Sequence, residues 1–302
     1  MTFATGSGSD GPEHDESLLI PRSDLLEGFF MNDVQVQSNL RVAEVDGFEI
    51  AVDVYRPDID NPPTVIYLHG GGWQLGDKKD GAEERLARLA SYGIAVVSAN
   101  YRLAPQGSYP NPIHDVKAVV RWLRAHGDEL GVSTDRIGVW GASAGAYLAT
   151  MVGLTSGDEE LEGVVGDDLD QSSRVDAVVH WFGPSDLAAN SGRSWIENRL
   201  LPPPFENALL GDNEVSAPTN TSWNASPLSR VTSLAPPFLI AHGDRDRITL
   251  SSQSRALHDG LVSVGARSTL LVLGGAGHEG PEFDEPDHLG ITAAFLSAHL
   301  RG

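Results

Sequence analysis

Ser143 stands in the run Ile137-Gly-Val-Trp-Gly-Ala-Ser-Ala-Gly145, where an apolar β-type stretch breaks into G-x-S-x-G and passes into the helix formers 146–149. A serine hydroxyl attacks a carbonyl only when a base takes its proton and a rigid turn holds it out of the sheet. Gly141 and Gly145 permit such a turn, which a Cβ at either position would obstruct. Acyl transfer also needs a base, a group that orients the base, and donors for the oxyanion. Among ten histidines, His278 has the best setting. It lies in Gly274-Gly-Ala-Gly-His-Glu-Gly280, directly after the last β-type run. His69 ends a strand before three glycines and reads as structural; the others considered sit in the tail, on helical segments or outside any motif. For the orienting carboxylate, Phe238-Leu-Ile-Ala-His-Gly-Asp-Arg-Asp246 offers two aspartates. The spacing from the strand end favours Asp246, with Asp244 as a turn residue and Asp186 as a third candidate. The run His69-Gly70-Gly71-Gly72-Trp73 can aim backbone N–H groups at an oxyanion, and the N–H of Ala144 would complete the hole.

These residues need a scaffold that delivers them to one place. Alternating runs at 40–46 and 48–55 flank Asp46-Gly47, a strong hairpin signal. Strands are expected at 64–69, 94–100, 137–140, 175–182, 238–242 and 269–273. Helices are expected at 79–92, 112–126, 143–155, 249–263 and 287–300. This alternation implies a mostly parallel sheet of about eight strands with helices on both faces. Residues 1–17 read as a disordered tail, 18–38 as a helical or irregular lead-in, and 18–302 as a single domain. Residues 184–236 are too long and proline-rich for a simple connection. They are expected to form a lid over the site, where Trp73, Trp181, Phe182, Phe205 and Trp223 are candidate pocket walls.

The 302 residues are 40% hydrophobic and carry a net charge of −21, with no cysteine. Such acidity disfavours nucleic acid, anionic membranes and anionic substrates. The absence of cysteine excludes disulfides, thiolate metal sites and a Cys nucleophile. The acidic 166–170 loop lacks the spacing of a calcium loop, and no phosphate-binding P-loop is present. No run reaches the length of a membrane span. The N-terminus has no signal-peptide pattern, so a cytoplasmic location is expected.

In His69-Gly-Gly-Gly-Trp73, Asn100-Tyr-Arg-Leu-Ala-Pro105 and Gly141-Ala-Ser-Ala-Gly145 the chain resembles the hormone-sensitive-lipase-like esterases, the H-G-G-G branch of the α/β-hydrolases. The segments 113–124, 181–186, 226–228 and 241–246 bring it closer to the bifunctional acetyl xylan/feruloyl esterase-like group. The resemblance runs from about residue 40 to the end. It implies an α/β-hydrolase fold with Ser143 as nucleophile, Asp246 as acid and His278 as base. It also implies an oxyanion hole from Gly71, Gly72 and Ala144, with the N–H of Trp73 used in some members, and a structural role for Arg102 and Asp115. Two departures from the usual pattern stand out: Arg247-Ile-Thr249 after the acid, and Glu279 after the base. The expected activity is hydrolysis of short-acyl, acetyl-type esters through an acyl-enzyme, with a small ester as partner and no metal or cofactor. A peptidase or amidase on the same scaffold, and a non-catalytic small-ligand receptor, are the alternatives; a homo-oligomer is left open.

Overall fold

Strands β1 (Val34–Val45) and β2 (Phe48–Pro57) meet at Asp46-Gly47, where both residues take positive φ, 54° and 78°. Those signs match the right-handed twist of the two strands, which is why Asp-Gly suits this turn. This computed structural model describes residues 31–187, 189, 205–211 and 220–301. The expected tail at 1–17, the start of the lead-in at 18–30 and much of the expected lid lie outside them.

The lead-in expectation is corrected for residues 34–38, which belong to β1 and pair with β2 from Val34↔Pro57 onward. The pairing slips between Gln37 and Leu40 and again between Arg41 and Ala43. Each slip resets the inside–outside alternation, so the period of two is hidden in the sequence.

Beyond the hairpin the order is β3 (Pro63–Leu68), a wider helical stretch (Ala82–Ala87) running into α1 (Arg88–Ser91), β4 (Ala95–Ala99), α2 (Asn111–Leu130), β5 (Ser133–Ala142), α3 (Ala144–Leu154), α4 (Glu159–Glu162) and β6 (Ala177–Trp181). There follow α5 (Phe205–Leu209), α6 (Asn220–Asn224), β7 (Phe238–Gly243), α7 (Ser251–Ser263), β8 (Ser268–Leu273) and α8 (Pro286–Leu300). The eight strands form one sheet in the order β1-β2-β4-β3-β5-β6-β7-β8. The first two pairings are antiparallel and the remaining five parallel.

Alternate residues of the central strands feed opposite faces. Ile66, Val97, Val139, Val178 and Ile240 join the core under α2, α3 and α7. Val65, Val96, Trp140, Val179 and Leu239 join the second core, under α1 and α8. Both faces are buried, so these strands read as continuous apolar runs. No helix among the described residues is long and apolar enough to cross a membrane.

Candidate active site

The C-terminal ends of β3, β5, β7 and β8 deliver the four predicted groups to one edge of the sheet. At the end of β5, Ser143 takes φ 54° and ψ −117°, a conformation that L side chains rarely adopt. Such a residue costs on the order of 1–3 kcal/mol and persists only where its surroundings enforce it. Here Ser143 N–H donates to the Trp181 carbonyl at 2.9 Å, and its own carbonyl accepts the Tyr147 N–H in the first turn of α3. The two glycines of the motif leave room for this turn. A Cβ on Gly141 would overlap the Gly145 carbonyl group, and one on Gly145 would overlap the Leu68 carbonyl oxygen.

The loops after β7 and β8 are stitched together. Asp244 Oδ1 accepts the Gly275 N–H at 2.6 Å, and the Arg245 N–H donates to the Ala276 carbonyl at 2.9 Å. Between them His278 faces both its neighbours. Its Nδ1 lies 2.7 Å from Asp246 Oδ2 and its Nε2 lies 2.9 Å from Ser143 Oγ. The edge of the Phe182 ring packs on the imidazole, with centroids 4.9 Å apart.

Asp246 has no exposed side-chain surface and is fully partnered. Its Oδ1 accepts the Ile248 and Thr249 N–H groups at 2.8 and 3.0 Å. Its Oδ2 lies near His278 and also 3.1 Å from His242 Nε2. Burial alone would raise this carboxyl's pKa. The hydrogen bonds from His242, His278 and Ile248 outweigh it and hold the pKa well below the usual carboxylate range. Asp244 instead holds the loop, and Asp186 lies beside Gln253, with its N–H 2.7 Å from the Gln253 Oε1.

The glycine run passes beside the serine: a Cβ on Gly70 would sit 3.4 Å from Ser143 Cβ. Gly71, Gly72 and Trp73 all take positive φ. Among the described residues, no acceptor pairs with the N–H of Gly71, Gly72 or Ala144. Such orphan donors fit an anionic oxygen. The run is propped from below. His69 stacks on Tyr101 and is held by its Nδ1–H to the Gly70 carbonyl, as suits its structural reading. Ala104 N–H donates to the Trp73 carbonyl. The Arg102 segment beside it is bound to α2 by the buried Arg102–Asp115 pair, with contacts of 2.7 and 2.9 Å.

The five candidate pocket aromatics divide. Trp73 and Trp181 are buried: Trp73 stands edge-on to Tyr147, and Trp181 packs among Trp140 and Phe283. Phe182 is equally buried but reaches His278. Phe205 covers the glycine turn, its Cδ1 lying 2.6 Å from where a Gly72 Cβ would be. Trp223 is half-exposed on α6, and no ring contact among the described residues brings it to the serine.

Two groups went unnoticed in the sequence. One is His242, four residues before Asp246. The other is Arg85, whose guanidinium binds Asp284 at 2.6 and 2.9 Å and reaches Glu279 beside the His278 loop. The His242 spacing was visible; the Arg85 pairing spans 199 residues and left no local signal.

A family model described as BD-FAE matches residues 52–261. Esterase LipC of Mycobacterium tuberculosis is 35% identical over 218 residues, which cover 72% of this chain and 52% of that protein. An acetyl esterase of Salmonella paratyphi A is 30% identical over 221 residues, 70% of this chain and 64% of its own. The chain thus spans about half to two thirds of the length of these curated relatives. A solved structure described as a truncated form of carbohydrate esterase from gut microbiota superposes with a TM-score of 0.79 at 28% identity, covering 89% of this chain and 97% of that one. The strand order, the serine turn after β5 and these likenesses agree. The chain belongs to the BD-FAE family and has the α/β-hydrolase fold.

Proposed function

We propose that this chain is a serine carboxylesterase acting on short-acyl, acetyl-type esters. The observation that carries the reading is the unbroken hydrogen-bonded line from Ser143 through His278 to Asp246, beside backbone amides that find no acceptor among the described residues. His278 Nε2 takes the Ser143 proton as Oγ attacks the ester carbonyl. The N–H groups of Gly71, Gly72 and Ala144 receive the oxyanion, each such donor contributing roughly 2.7–4 kcal/mol to the transition state. Imidazolium then protonates the leaving alcohol. Water, deprotonated by the same imidazole, releases the acyl group. Asp246 stays ionised and holds the Nδ1–H tautomer.

Short acyl groups are favoured by Phe205, which stands over Gly72, and by Phe182 beside His278. The names of the relatives, an acetyl esterase and a carbohydrate esterase among them, support the same class. The net charge of −21 favours neutral over anionic esters. Phe205, from the expected lid, covers the glycine turn of the pocket.

Turnover of p-nitrophenyl acetate and butyrate tests this reading. The acetate is expected to be preferred, and Ser143→Ala to lose about 10⁴-fold or more in kcat. A fluorophosphonate is expected to label Ser143 once per chain. Full turnover by Ser143→Ala, or labelling elsewhere, overturns the assignment.

A further inference from the structure

Asp246 Oδ2 faces two imidazoles. One is His278, 2.7 Å away; the other is His242, at 3.1 Å. His242 is the last buried residue but one of β7, with 1% of its side chain exposed. The proton on its Nε2 is assigned by its second contact. The Thr249 carbonyl, 2.8 Å from that nitrogen, can only accept. Nε2 therefore carries hydrogen in either charge state and donates it to the Thr249 oxygen, with Asp246 Oδ2 3.1 Å from the same nitrogen. Nδ1 meets Ser254 Oγ of α7 at 2.7 Å, so the ring is gripped from both sides.

We propose that His242 is a positioning residue for Asp246, donating from Nε2 to the same carboxylate oxygen that holds His278. The inference rests on the esterase reading of Ser143, His278 and Asp246. It has two chemical consequences. First, the carboxylate cannot turn: Oδ1 is held by two backbone N–H groups and Oδ2 by two imidazole N–H groups. Second, an oxygen shared between two donors is a weaker acceptor toward each. The bond from His278 to that oxygen is then weaker than one to a carboxylate of its own. The depressed pKa of Asp246 agrees with a carboxylate supplied with this many donors.

Other titratable groups near His242 do not replace it. His180 on β6 is fully buried, with its pKa lowered to about 3 by burial and by His242, so it stays neutral near pH 7. On the β7 side Asp244, Arg245 and Arg247 are exposed, and Asp186 after β6 is half-buried beside Gln253. Ser254 on α7 carries no charge.

The test compares wild type, His242→Leu, His242→Gln and Ser254→Ala on p-nitrophenyl acetate from pH 5 to 9. In His242→Leu, kcat is expected to fall about tenfold with KM within about twofold. The acidic limb of kcat/KM is expected to move up by about half a pH unit, because His278 regains the whole oxygen. The Gln amide places an N–H where Nε2 was, and so brings the limb back to its wild-type position. Ser254→Ala, which loosens the ring without removing the donor, moves the limb the same way by less. A folded His242→Leu with an unmoved limb, or a Gln variant no better than Leu, overturns the proposal. Should the Leu chain fail to fold, an unmoved limb in Ser254→Ala does so. The proton resonance of His278 Nδ1–H, assigned with His278→Gln, needs no turnover and is expected downfield in His242→Leu. An unshifted resonance counts against His242 even if Ser143 labelling has failed and the esterase reading has fallen.

Discussion

Gly72 of the glycine run and Gly145 of the serine turn have neighbours that make different demands. A Cβ at Gly145 meets the Leu68 carbonyl, which is backbone in the middle of the sheet and cannot yield. Gly145→Ala is expected to lower the unfolding free energy by about 1–3 kcal/mol, through the displacement that overpacking forces. At Gly72 the obstacle is the Phe205 side chain, whose Cδ1 and Cγ would lie 2.6 and 2.9 Å from the added Cβ, so the whole ring must swing aside. The φ of +60° adds about 1–2 kcal/mol for an L residue. Because that strain turns the amide, Gly72→Ala is expected to lose roughly 10²-fold in kcat. Urea unfolding and p-nitrophenyl acetate turnover, measured on the same preparations, check both. The chemical types of Ser143 and His278 and their loop settings were readable from local sequence. The choice between Asp244 and Asp246 rested on spacing alone, and only coordinates show that one binds Gly275 and the other His278. The aromatic residues were less readable. A ring's identity says that it will be buried, not on which side of the sheet, and Trp73 and Trp181 went to the core.

Arg85 shows what one element does for another. It leaves the helical stretch before α1, reaches under the His278 loop and binds Asp284 through two nitrogens, with Tyr67 Oη at 2.8 Å. Its guanidinium also lies over the Trp181 ring. Only 5% of the Arg85 side chain and 18% of the Asp284 side chain are exposed. Arg85→Met strands the Asp284 carboxylate, and unfolding free energy is expected to fall by about 3 kcal/mol. Asp284→Asn added to Arg85→Met is expected to recover part of that loss, since the stranded charge is gone. A double-mutant cycle in urea measures the coupling. The helices and parallel strands themselves were legible because their apolar runs are local. Strand β1 was legible only in its second half, next to the Asp46-Gly47 turn and after the first slip in register.

At the scale of the whole molecule, pH reaches stability through a histidine that does no chemistry in the proposed reaction. His180 is enclosed between β6 and α3, with Thr150 on Nδ1 and the Gly183 N–H on Nε2. Burial and the neighbouring His242 lower its pKa to about 3. The unfolded chain takes up this proton below about pH 6.5 and the folded one does not. Its contribution is therefore intact above pH 6.5 and is lost as pH falls toward 3. The expected loss is about 2 kcal/mol between pH 6.5 and 5. Asp246 is depressed as well, but its contribution is present above about pH 4 and disappears only below that. Urea unfolding at pH 5 to 8 is expected to slope accordingly, and His180→Gln to flatten the slope.

The sequence by itself determined the class of sheet, the sharp turn at Ser143 and the candidates Ser143, Asp246 and His278. Each of these is written in neighbouring residues: glycines flanking Ser143, apolar runs between helices, and a histidine in a glycine loop. Tertiary structure alone decided which aromatics face the site, that Arg85 braces the His278 loop, and that His242 shares Asp246. The first two depend on which side chains meet from distant parts of the chain, which close packing settles without a periodic signal; His242 and Asp246 are four residues apart, but that spacing does not say that their side chains meet.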